Sequence, residues 1–450
     1  MKKLFFALMT VAAIAFTGCE KSGNETVPEP SACSRYKPLD VRANGKVFRE
    51  ISANDIDNCK LPGSEITLRS LRHVSRGRVY YMDYDVQIPW DKFIRQNNRY
   101  HANDFKTFND DFNKELFYSN DEYEILEHPR GCSGFVCNDP SGNLLMGRNL
   151  DGIPGQMMVL FNKHPQAGEY KSVLLTNLAY ANDWNGSSEY DNDSSLFNPG
   201  LRMDVLLRQP IIIVDGMNEH GLCMAVYQLP NTQDGSMKDY ESLTPRPVSV
   251  DQQTGKKQLV FSTLNYMILA KCKTVADVEN LFKSHDFTIL LSNENIHWIV
   301  ADANNEWRIF EYWNRYDEDT ETWKDTLYVC DEINRTEGTH TAGIPVPYER
   351  FSIENYYINR EACLTYGADV WQYAFSNKTR VQNMMAHYKP IMTEEEALEC
   401  LQFGNFGMEL PGQLTDWSCV YNPRKGTLLF NMRNDLSEVY YINIFEELAK

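Results

Sequence analysis

The segment 131–151 limits the possible folds of this chain more than any other, because it predicts a single β-hairpin carrying a cysteine, an arginine and an aspartate. Its two flanks, Cys132–Asn138 and Asn143–Asp151, have strand length and mix apolar with small residues. Between them stands Asp139-Pro140-Ser141-Gly142, in which proline presets its own φ and glycine adopts positive φ without steric cost. A strand, a tight turn and a second strand are therefore expected here.

The register of this hairpin places a charge beside the thiol. If the loop spans residues 140–142 with a glycine bulge, Cys132 lies opposite Leu150. Arg148 then shares the face of Cys132 one diagonal step away, within reach of a long side chain. A neighbouring guanidinium favours the ionised form of a thiol, so the hairpin predicts a nucleophilic Cys132.

The same residues carry a family resemblance. The motif Cys132-Ser-Gly-Phe-Val followed by Gly-Arg148-Asn-Leu-Asp151 resembles the cysteine branch of the N-terminal-nucleophile (Ntn) hydrolases. That branch contains choloylglycine (bile salt) hydrolase, penicillin V acylase, acyl-CoA:6-aminopenicillanate acyltransferase, N-acylethanolamine acid amidase and acid ceramidase. Weaker likenesses follow in the family's order: Asp215–Leu222, Ile296–Asp302 and Thr415–Tyr421.

The resemblance implies a mechanism and roles for three residues. The chain would be cut before Cys132, whose new α-amine has a reference pKa of about 7.7–8.0 and can take the thiol proton. Asp151 would orient that amine, while Arg148 would favour the thiolate and hold the substrate's carbonyl end. The alternative for Arg148 and Asp151 is a surface ion pair with a small effect on stability.

The donors that would stabilise an oxyanion depart from the family pattern. Gln228 stands where the family usually has an asparagine, and its amide reaches one methylene further. For the second family asparagine, direct counting reaches Asp331, which cannot donate when ionised, and a small shift reaches Asn334. Asn334 is preferred, and Asp331 remains open. At Asp416 some bile salt hydrolases have an arginine.

The first thirty residues predict export. Lys2-Lys3 precede the apolar run Leu4–Phe16, which is too short to span a bilayer, so residues 1–18 are predicted to be a signal peptide. The residues before Cys19 resemble a bacterial lipobox, which would make Cys19 lipidated and residues 19–30 a polar tether. The alternative is an ordinary cleaved signal peptide with an incidental cysteine. The predicted location is the bacterial cell envelope, on its periplasmic or exposed side.

Charge and motif content limit the classes of binding partner and cofactor that this chain is expected to have. A formal net charge of −18 argues against nucleic acid, and the predicted membrane contact is through the lipid anchor only. The sequence predicts no cofactor and no metal, since Walker, HExxH and GxSxG motifs and CxxC pairs are missing. Of eleven cysteines, Cys33–Cys59 is the one disulfide considered, and four others are predicted to be buried thiols: Cys223, Cys272, Cys400 and Cys419. The oligomeric state stays open.

Hairpins alternate with blocks of helix along the rest of the chain. Strands are predicted at Glu65–Val74, Arg78–Ile88, Met157–Phe161, Lys171–Leu178, Pro210–Asp215, Leu222–Leu229, Ile296–Ala301, Trp307–Tyr312, Trp417–Asn422, Thr427–Met432 and Val439–Ile444. Helices are predicted at Asn103–Phe117, Gln258–Ala270, Val275–Ser284, Arg350–Leu364, Val370–His387 and Glu394–Phe403. This order predicts an α+β fold with largely antiparallel sheets covered by helices. The family resemblance adds the αββα order of layers, two antiparallel sheets between helical layers.

The resulting hypothesis divides the chain at Cys132. Residues 31–131 are interpreted as a propeptide-like segment that stays packed on the body, and residues 132–450 as the catalytic domain. The predicted activity is hydrolysis of small linear N-acyl amides, of the bile-salt-conjugate or N-acyl-amine type, through an acyl-enzyme on Cys132. The alternatives are acyl transfer on the same scaffold, or a non-catalytic surface-binding lipoprotein.

Overall fold

The strands of the protein assemble into two large sheets. The computed structural model describes residues 36–48, 50–74, 78–94, 105–118, 131–152, 155–178, 203–228, 256–288, 296–317, 322–330, 352–354, 380, 383–405 and 414–450. Within them, the strands in chain order are β1 Leu39–Asp40, β2 Lys46–Val47, β3 Arg72–Val74, β4 Val79–Asp83, β5 Gly131–Asn138, β6 Leu144–Gly152, β7 Met157–Asn162, β8 Ser172–Asn177, β9 Asp215–Asn218, β10 Cys223–Gln228, β11 Lys257–Val260, β12 His285–Thr288, β13 Ile296–Ala301, β14 Trp307–Asp317, β15 Thr322–Cys330, β16 Ser352–Glu354, β17 Leu414–Asn422, β18 Thr427–Met432 and β19 Val439–Asn443.

Strand order gives one seven-stranded and one ten-stranded sheet. The first runs β1-β19-β18-β17-β6-β5-β16, and the second runs β15-β14-β13-β10-β9-β8-β7-β4-β3-β2. Strands β11 and β12 form a small parallel pair. Neighbours in the two large sheets are antiparallel except β1 with β19 and β4 with β7. Neither exception joins strands connected by a hairpin turn, so no short loop imposes an antiparallel direction on them.

Helices cover the outer faces of both sheets. Their bounds in the described residues are α1 Ala53–Ile56, α2 Ser64–Arg69, α3 Trp90–Ile94, α4 Phe105–Leu116, α5 Met203–Leu207, α6 Phe261–Lys271, α7 Val275–Ser284, α8 Glu394–Gln402 and α9 Ile444–Ala449. Helix α8 packs on the seven-stranded sheet, and α6 and α7 pack on the ten-stranded sheet. None of the helices in this described part is both long and apolar enough to cross a membrane.

The layers follow from how side chains alternate along the central hairpin. Cys132 and Val136 in β5 belong to the core that lies between the two sheets. Phe135 and Cys137 face the other way, into a second core with α8. Because successive side chains of a strand point to opposite faces, a strand buried on both faces reads as continuously apolar. The α+β architecture with two sheets between helical layers is therefore present as predicted.

The hairpin has the predicted register. Cys132 pairs with Leu150, and Gly134 pairs with Arg148. The turn closes with the amide of Asp139 donating to the carbonyl oxygen of Asn143 at 2.7 Å, and Gly142 has a φ of 82°. Gly134 lets the sheets approach closely, since a Cβ there would lie 2.3 Å from the Tyr227 hydroxyl oxygen.

Two capping boxes and the helix with the phenylalanine stripe also agree with the predictions made from the sequence. Thr274 and Asp277 cap α7, and Thr393 and Glu396 cap α8, each with the reciprocal side-chain bonds of the motif. In α4, Phe108 and Phe112 are fully buried, in agreement with the core-packing interpretation of that stripe. The four cysteines predicted to be buried thiols are all buried.

Four secondary-structure predictions were wrong in part. The range predicted as a strand from Glu65 begins as helix α2, which is supported by the Glu65–Arg69 ion pair at 2.7 Å. Residues Gln209–Ile211 form a 3₁₀ turn with proline in its first turn, instead of a strand. The helix predicted from Gln258 begins only at Phe261, because Lys257–Val260 pair with β12. Ser352–Glu354 form a strand at the edge of β5 instead of a helix.

The segment before Cys132 is built into both sheets. Strand β1 pairs with β19 at one edge of the seven-stranded sheet. Strand β4 pairs with β7, and so joins β3 and β2 to the ten-stranded sheet. Residues Tyr36–Lys450 accordingly form one compact unit. The division into propeptide and catalytic domain stays a prediction, as does the Cys33–Cys59 disulfide, because Cys33 lies outside the described residues.

Candidate active site

Cys132 lies on the inner face of β5 beside a guanidinium. Its Sγ lies 3.6 Å from Nη2 of Arg148 and 3.7 Å from the carbonyl oxygen of Val226. The same Nη2 donates to the Val226 carbonyl at 2.9 Å, so the arginine is fixed relative to the sulfur. Cys132 is 2% exposed and Arg148 is fully buried. A fixed cation at this distance lowers the free energy of a thiolate relative to the thiol.

Arg148 is held by a carboxylate from the opposite sheet. Nη1 of Arg148 donates to Oδ2 of Asp215 at 2.5 Å, and the indole Nε1 of Trp417 donates to the same oxygen at 3.0 Å. Burial lowers the pKa of the Arg148 guanidinium, but Asp215 and the smaller contributions of Cys132, Tyr227 and Cys419 together outweigh it, so the pKa is raised. Since arginine is not deprotonated in proteins, Arg148 is a permanent positive charge at this site. An arginine with a bidentate set of partners also keeps one orientation.

Asp151 lies on the other face of the same strand. It pairs across the ladder with Gly131, and its carboxylate accepts hydrogen bonds from Nη2 of Arg380 and Oγ1 of Thr415. The alternative of a surface ion pair between Arg148 and Asp151 is wrong, because both are buried and each is paired with another residue. The carboxylate of Asp151 thus lies on the face of the Gly131 position, next to the bond whose cleavage is predicted.

The predicted oxyanion donors fall outside the described side chains. Gln228 ends β10 and pairs with Ile296, but its side chain is not among those described. Asn334 and its alternative Asp331 lie outside the described residues, as does the predicted lipidation site Cys19. The roles of these residues stay predictions.

Three residues of the site were not identified from the sequence. Asp215 could have been found, because it follows the apolar run Ile211–Val214 and begins a strand in which a charge is unusual. Trp417 is a buried aromatic residue in a closing strand, and such residues usually serve only packing. Arg380 has no local signal at all, because its partner Asp151 is far away in sequence.

A second buried carboxylate, Asp416, lies at a bulge in β17. The bulge shifts the register between Thr415 and Trp417, where β17 pairs with β6. Oδ1 of Asp416 accepts from the amide of Gly155 at 3.0 Å, and Oδ2 accepts from Nδ2 of Asn177 at 2.7 Å. Burial raises the pKa of Asp416 to about 8 despite these bonds and the charge of Arg433. Asp416 therefore holds its proton across most of the neutral range.

Replacing Asp416 with asparagine is expected to change how stability depends on pH. Below about pH 4 this carboxyl is protonated in both folded and unfolded chains. Between there and a pH of about 8 the unfolded chain releases the proton while the folded chain keeps it, so the free energy of unfolding falls as pH rises. The slope is on the order of 1 kcal/mol per pH unit. Asp416→Asn removes it, as urea unfolding at pH 5 and 8 would show.

Asp139 provides a control, because its pKa is shifted in the opposite direction from that of Asp416. Burial would raise its pKa, but hydrogen bonds from Asn143 and Lys425 lower the pKa of Asp139 to about 2. The ionised Asp139 therefore stabilises the folded chain above the ordinary carboxyl pKa, and this stabilisation is lost as pH falls toward 2. Asp139→Asn should leave the slope of the free energy of unfolding between pH 5 and 8 unchanged. All chains would carry Cys132→Ala, so that they stay in one piece. Parallel wild-type and Asp416→Asn profiles over pH 5–8 would contradict the prediction.

The described residues contain no group of three or more histidine, cysteine, aspartate or glutamate side chains placed to hold a metal ion. His297 is fully buried, and its Nδ1 lies 3.1 Å from Oε2 of Glu311 on the neighbouring strand. The groups that this site brings together are the thiol, the two arginines and the carboxylates described above.

Comparison with known protein families gives one match, to the central part of the chain. Residues 132–316 match the family model of linear amide C–N hydrolases, choloylglycine hydrolase family, and the match begins at Cys132. No curated protein sequence matches the chain.

Solved structures similar to this one include a conjugated bile acid hydrolase and a penicillin V acylase. A mutant conjugated bile acid hydrolase from Clostridium perfringens has 13% identity and a TM-score of 0.37, over 69% of this chain and 92% of that one. Penicillin V acylase from Agrobacterium tumefaciens has 14% identity and a TM-score of 0.39, over 70% of this chain and 89% of that one. The assignment of the fold rests on the layers described above.

Proposed function

We propose that this chain is a linear amide C–N hydrolase of the choloylglycine hydrolase family, whose model matches residues 132–316, and that Cys132 is its nucleophile, freed by self-cleavage. Family membership makes it a hydrolase of C–N bonds in linear amides. The proposed substrates are small N-acyl amides, of the bile-salt-conjugate or N-acyl-amine type. The proposed products are a carboxylic acid and an amine.

One observation carries this proposal. The sulfur of Cys132 lies 3.6 Å from a buried guanidinium that is held by two acceptors of the opposite sheet, Asp215 and the Val226 carbonyl. Burial by itself opposes ionisation of a thiol: it raises the pKa of Cys223 well above its ordinary value and that of Cys272 to about 12. A buried cysteine that only packs needs no cation beside it.

The chemistry begins with cleavage of the bond between Gly131 and Cys132. Addition of water there leaves a carboxylate on Gly131 and an α-amine on Cys132. In each later turnover the amine accepts the thiol proton while the sulfur attacks the amide carbon. The proton then passes to the nitrogen of the leaving amine as the C–N bond breaks, and water hydrolyses the thioester. Asp151 orients the α-amine, and Arg148 stabilises the thiolate.

Gln228 and Asn334 are the proposed donors to the oxyanion. Each carries a side-chain amide, which can donate to an oxygen that gains negative charge. An ionised Asp331 in place of Asn334 would repel that charge, so Asn334 is the preferred assignment. Loss of a single oxyanion donor typically lowers kcat by about 10²–10³-fold.

We also propose that the protein is exported and anchored at the cell envelope through a lipid on Cys19. The polar residues 19–30 would then separate the anchor from the folded body. Fragments 19–131 and 132–450 would stay associated after cleavage, since strands from the first fragment pair with β7 and β19 of the second.

The experiment is to determine the N-terminus and the activity of the same purified sample. Intact mass and N-terminal sequencing should find two chains that part between Gly131 and Cys132. That sample should then release acid from a panel of conjugated bile salts, N-acylethanolamines, N-acyl homoserine lactones and penicillin V, and iodoacetamide should stop it. Release of amine without free acid, when an acceptor amine or thiol is added, would show acyl transfer instead. Active protein with residues 131 and 132 still joined would overturn the mechanism.

A further inference from the structure

Asp416 joins the two large sheets at the end where Cys132 lies. Its Oδ2 accepts a hydrogen bond from Nδ2 of Asn177 in β8 at 2.7 Å, and its Oδ1 accepts one from the amide of Gly155 at 3.0 Å. Asp416 and Asn177 are both fully buried. Because β17 belongs to the seven-stranded sheet and β8 to the ten-stranded sheet, Asp416 and Asn177 form a clasp between the sheets.

The β-bulge in β17 directs Asp416 toward the other sheet. Thr415 donates to Asp151 on the outer face of the seven-stranded sheet, whereas Trp417 belongs to the core between the sheets. On a regular strand, residues two apart share a face. The register shift between Thr415 and Trp417 therefore separates these two side chains and lets Asp416 turn inward. Bulges that re-aim a side chain in this way are common beside active sites.

The clasp lies at the same end of the ten-stranded sheet as the proposed oxyanion donor. Asp215 pairs with Leu175 of β8 on one side and with Ala225 of β10 on the other. Asn177 lies two residues beyond this row, where β8 ends. Gln228 lies three residues beyond the row, where β10 ends. The two strand ends are therefore nearly level.

The groups of the proposed reaction are divided between the sheets. Cys132 lies in β5 of the seven-stranded sheet, whereas Gln228 lies in β10 of the ten-stranded sheet. The distance from the sulfur to a donor on β10 therefore depends on the spacing of the sheets at this end. Arg148 and Asp215 fix the spacing deeper between the sheets, through their ion pair at 2.5 Å. Since a misplacement of about 1 Å can lower a rate by about 10²-fold, a second contact nearer the end matters for catalysis.

We infer that Asp416 and Asn177 are positioning residues that set the spacing between Cys132 and the oxyanion donor on β10. This inference rests on the proposed function, since it needs Cys132 as the nucleophile. The clasp acts through the strands that it joins, and its removal leaves the guanidinium of Arg148 beside the sulfur. Loss of the clasp should therefore slow attack on the amide without changing how readily the thiol ionises.

The first test is a mutant cycle on the clasp in the full-length, self-cleaved protein. Asp416→Ala and Asn177→Ala each remove the contact, so kcat for an N-acyl amide that the wild type hydrolyses should fall at least about 10-fold, with little change in KM. The exchanged pair Asp416→Asn/Asn177→Asp keeps a carboxyl group facing an amide and should restore most of kcat. Rates are divided by the fraction of chains that carry an N-terminal Cys132.

Unchanged kcat in the two alanine variants, or an exchanged pair no faster than they are, would overturn the inference. If either alanine variant does not fold, Asn177→Ser replaces it, because the serine side chain is too short to reach Asp416 but keeps a polar group. The same fall in kcat is then expected.

Asn265→Ala is the matched control for loss of a buried amide. Asn265 is 4% exposed, donates to the carbonyl oxygen of Ile213 at 2.7 Å and accepts from Nε1 of Trp298 at 2.8 Å. Neither partner belongs to the seven-stranded sheet, so these bonds do not cross between the sheets. Asn265→Ala should lower the free energy of unfolding, as the clasp variants do, but leave kcat near the wild-type value. An equal fall in kcat would show general damage and overturn the inference.

Alkylation of Cys132 separates positioning from damage to the thiol. Iodoacetamide reacts with a thiolate without forming an oxyanion, so its rate reports the ionisation of Cys132 rather than the position of a donor. In Asn177→Ala the alkylation rate should stay near that of the wild type while kcat falls, and parallel losses would overturn the inference. Failure of the proposed function itself would look different, because the wild-type protein would then be uncut or inactive.

Discussion

Replacing Cys132 with alanine is expected to leave the chain uncut and to lower the rate of amide hydrolysis by at least about 10⁴-fold. In the proposed mechanism the thiol of Cys132 is both the group that attacks and the group that the α-amine activates, and removing a nucleophile costs a hydrolase most of its rate. Denaturing electrophoresis and intact mass would report the cleavage, and release of acid from an N-acyl amide would report the rate. No other single change in the site should have a larger effect on activity.

Cys137→Ala is the matched control for this variant. Cys137 lies on the same strand and is 4% exposed, but it faces the core under α8, and burial strongly raises its pKa. That variant should be cleaved and active, with only the modest loss of stability that follows from removing a small buried side chain. If Cys132→Ala protein were cut between residues 131 and 132, or kept its activity, the assignment of the nucleophile would fail.

Replacing Asp215 with alanine is expected to give the largest loss of stability of any single substitution at the site. Arg148 and Asp215 are both fully buried and 2.5 Å apart, so the alanine variant leaves a buried guanidinium without its carboxylate. Breaking one partner of such a pair costs about 3–5 kcal/mol. Urea unfolding of the Asp215→Ala chain, in a Cys132→Ala background, would measure the change in the free energy of unfolding.

Two further variants test whether the loss of stability comes from an unpaired buried charge or from any substitution that removes an ion pair. Glu65→Ala breaks the exposed Glu65–Arg69 pair on α2 and should cost no more than about 0.5 kcal/mol. The double variant Arg148→Met/Asp215→Leu replaces the ion pair with apolar side chains and should regain most of the stability. With Cys132 present it should remain inactive, because the cation beside the sulfur is gone. Similar unfolding curves for Asp215→Ala and Glu65→Ala would contradict the prediction.

The hairpin around Cys132 shows how far local sequence determines this protein. Its turn chemistry fixes loop length, loop length fixes register, and register places Arg148 diagonally across from Cys132. Helix caps at Thr274 and Thr393 are equally local, since each needs only residues three positions apart. Such features are predictable because the atoms that stabilise them are close in the chain.

Where propensity and tertiary contacts disagree, the elements predicted from sequence are wrong. Residues 258–260 are predicted to begin a helix, but they lie in a strand that pairs with β12. Ser352–Glu354 likewise form a strand because they pair with the edge strand β5. Hydrogen bonds to a distant strand outweigh intrinsic preferences, which differ by less than about 1 kcal/mol per residue.

The sequence by itself determined the strand that carries Cys132, the arginine beside that cysteine and the order of elements, because those depend on short-range geometry. Only the tertiary structure decided which carboxylate holds Arg148 and which cation holds Asp151. Asp215 comes from the opposite sheet, and Arg380 comes from a segment distant in the chain. Alternation along β6 turns Arg148 and Asp151 to opposite faces, and the layers that cover each face then supply the partners. A buried charge needs a counter-charge, but sequence spacing does not reveal which residue folding will bring to it.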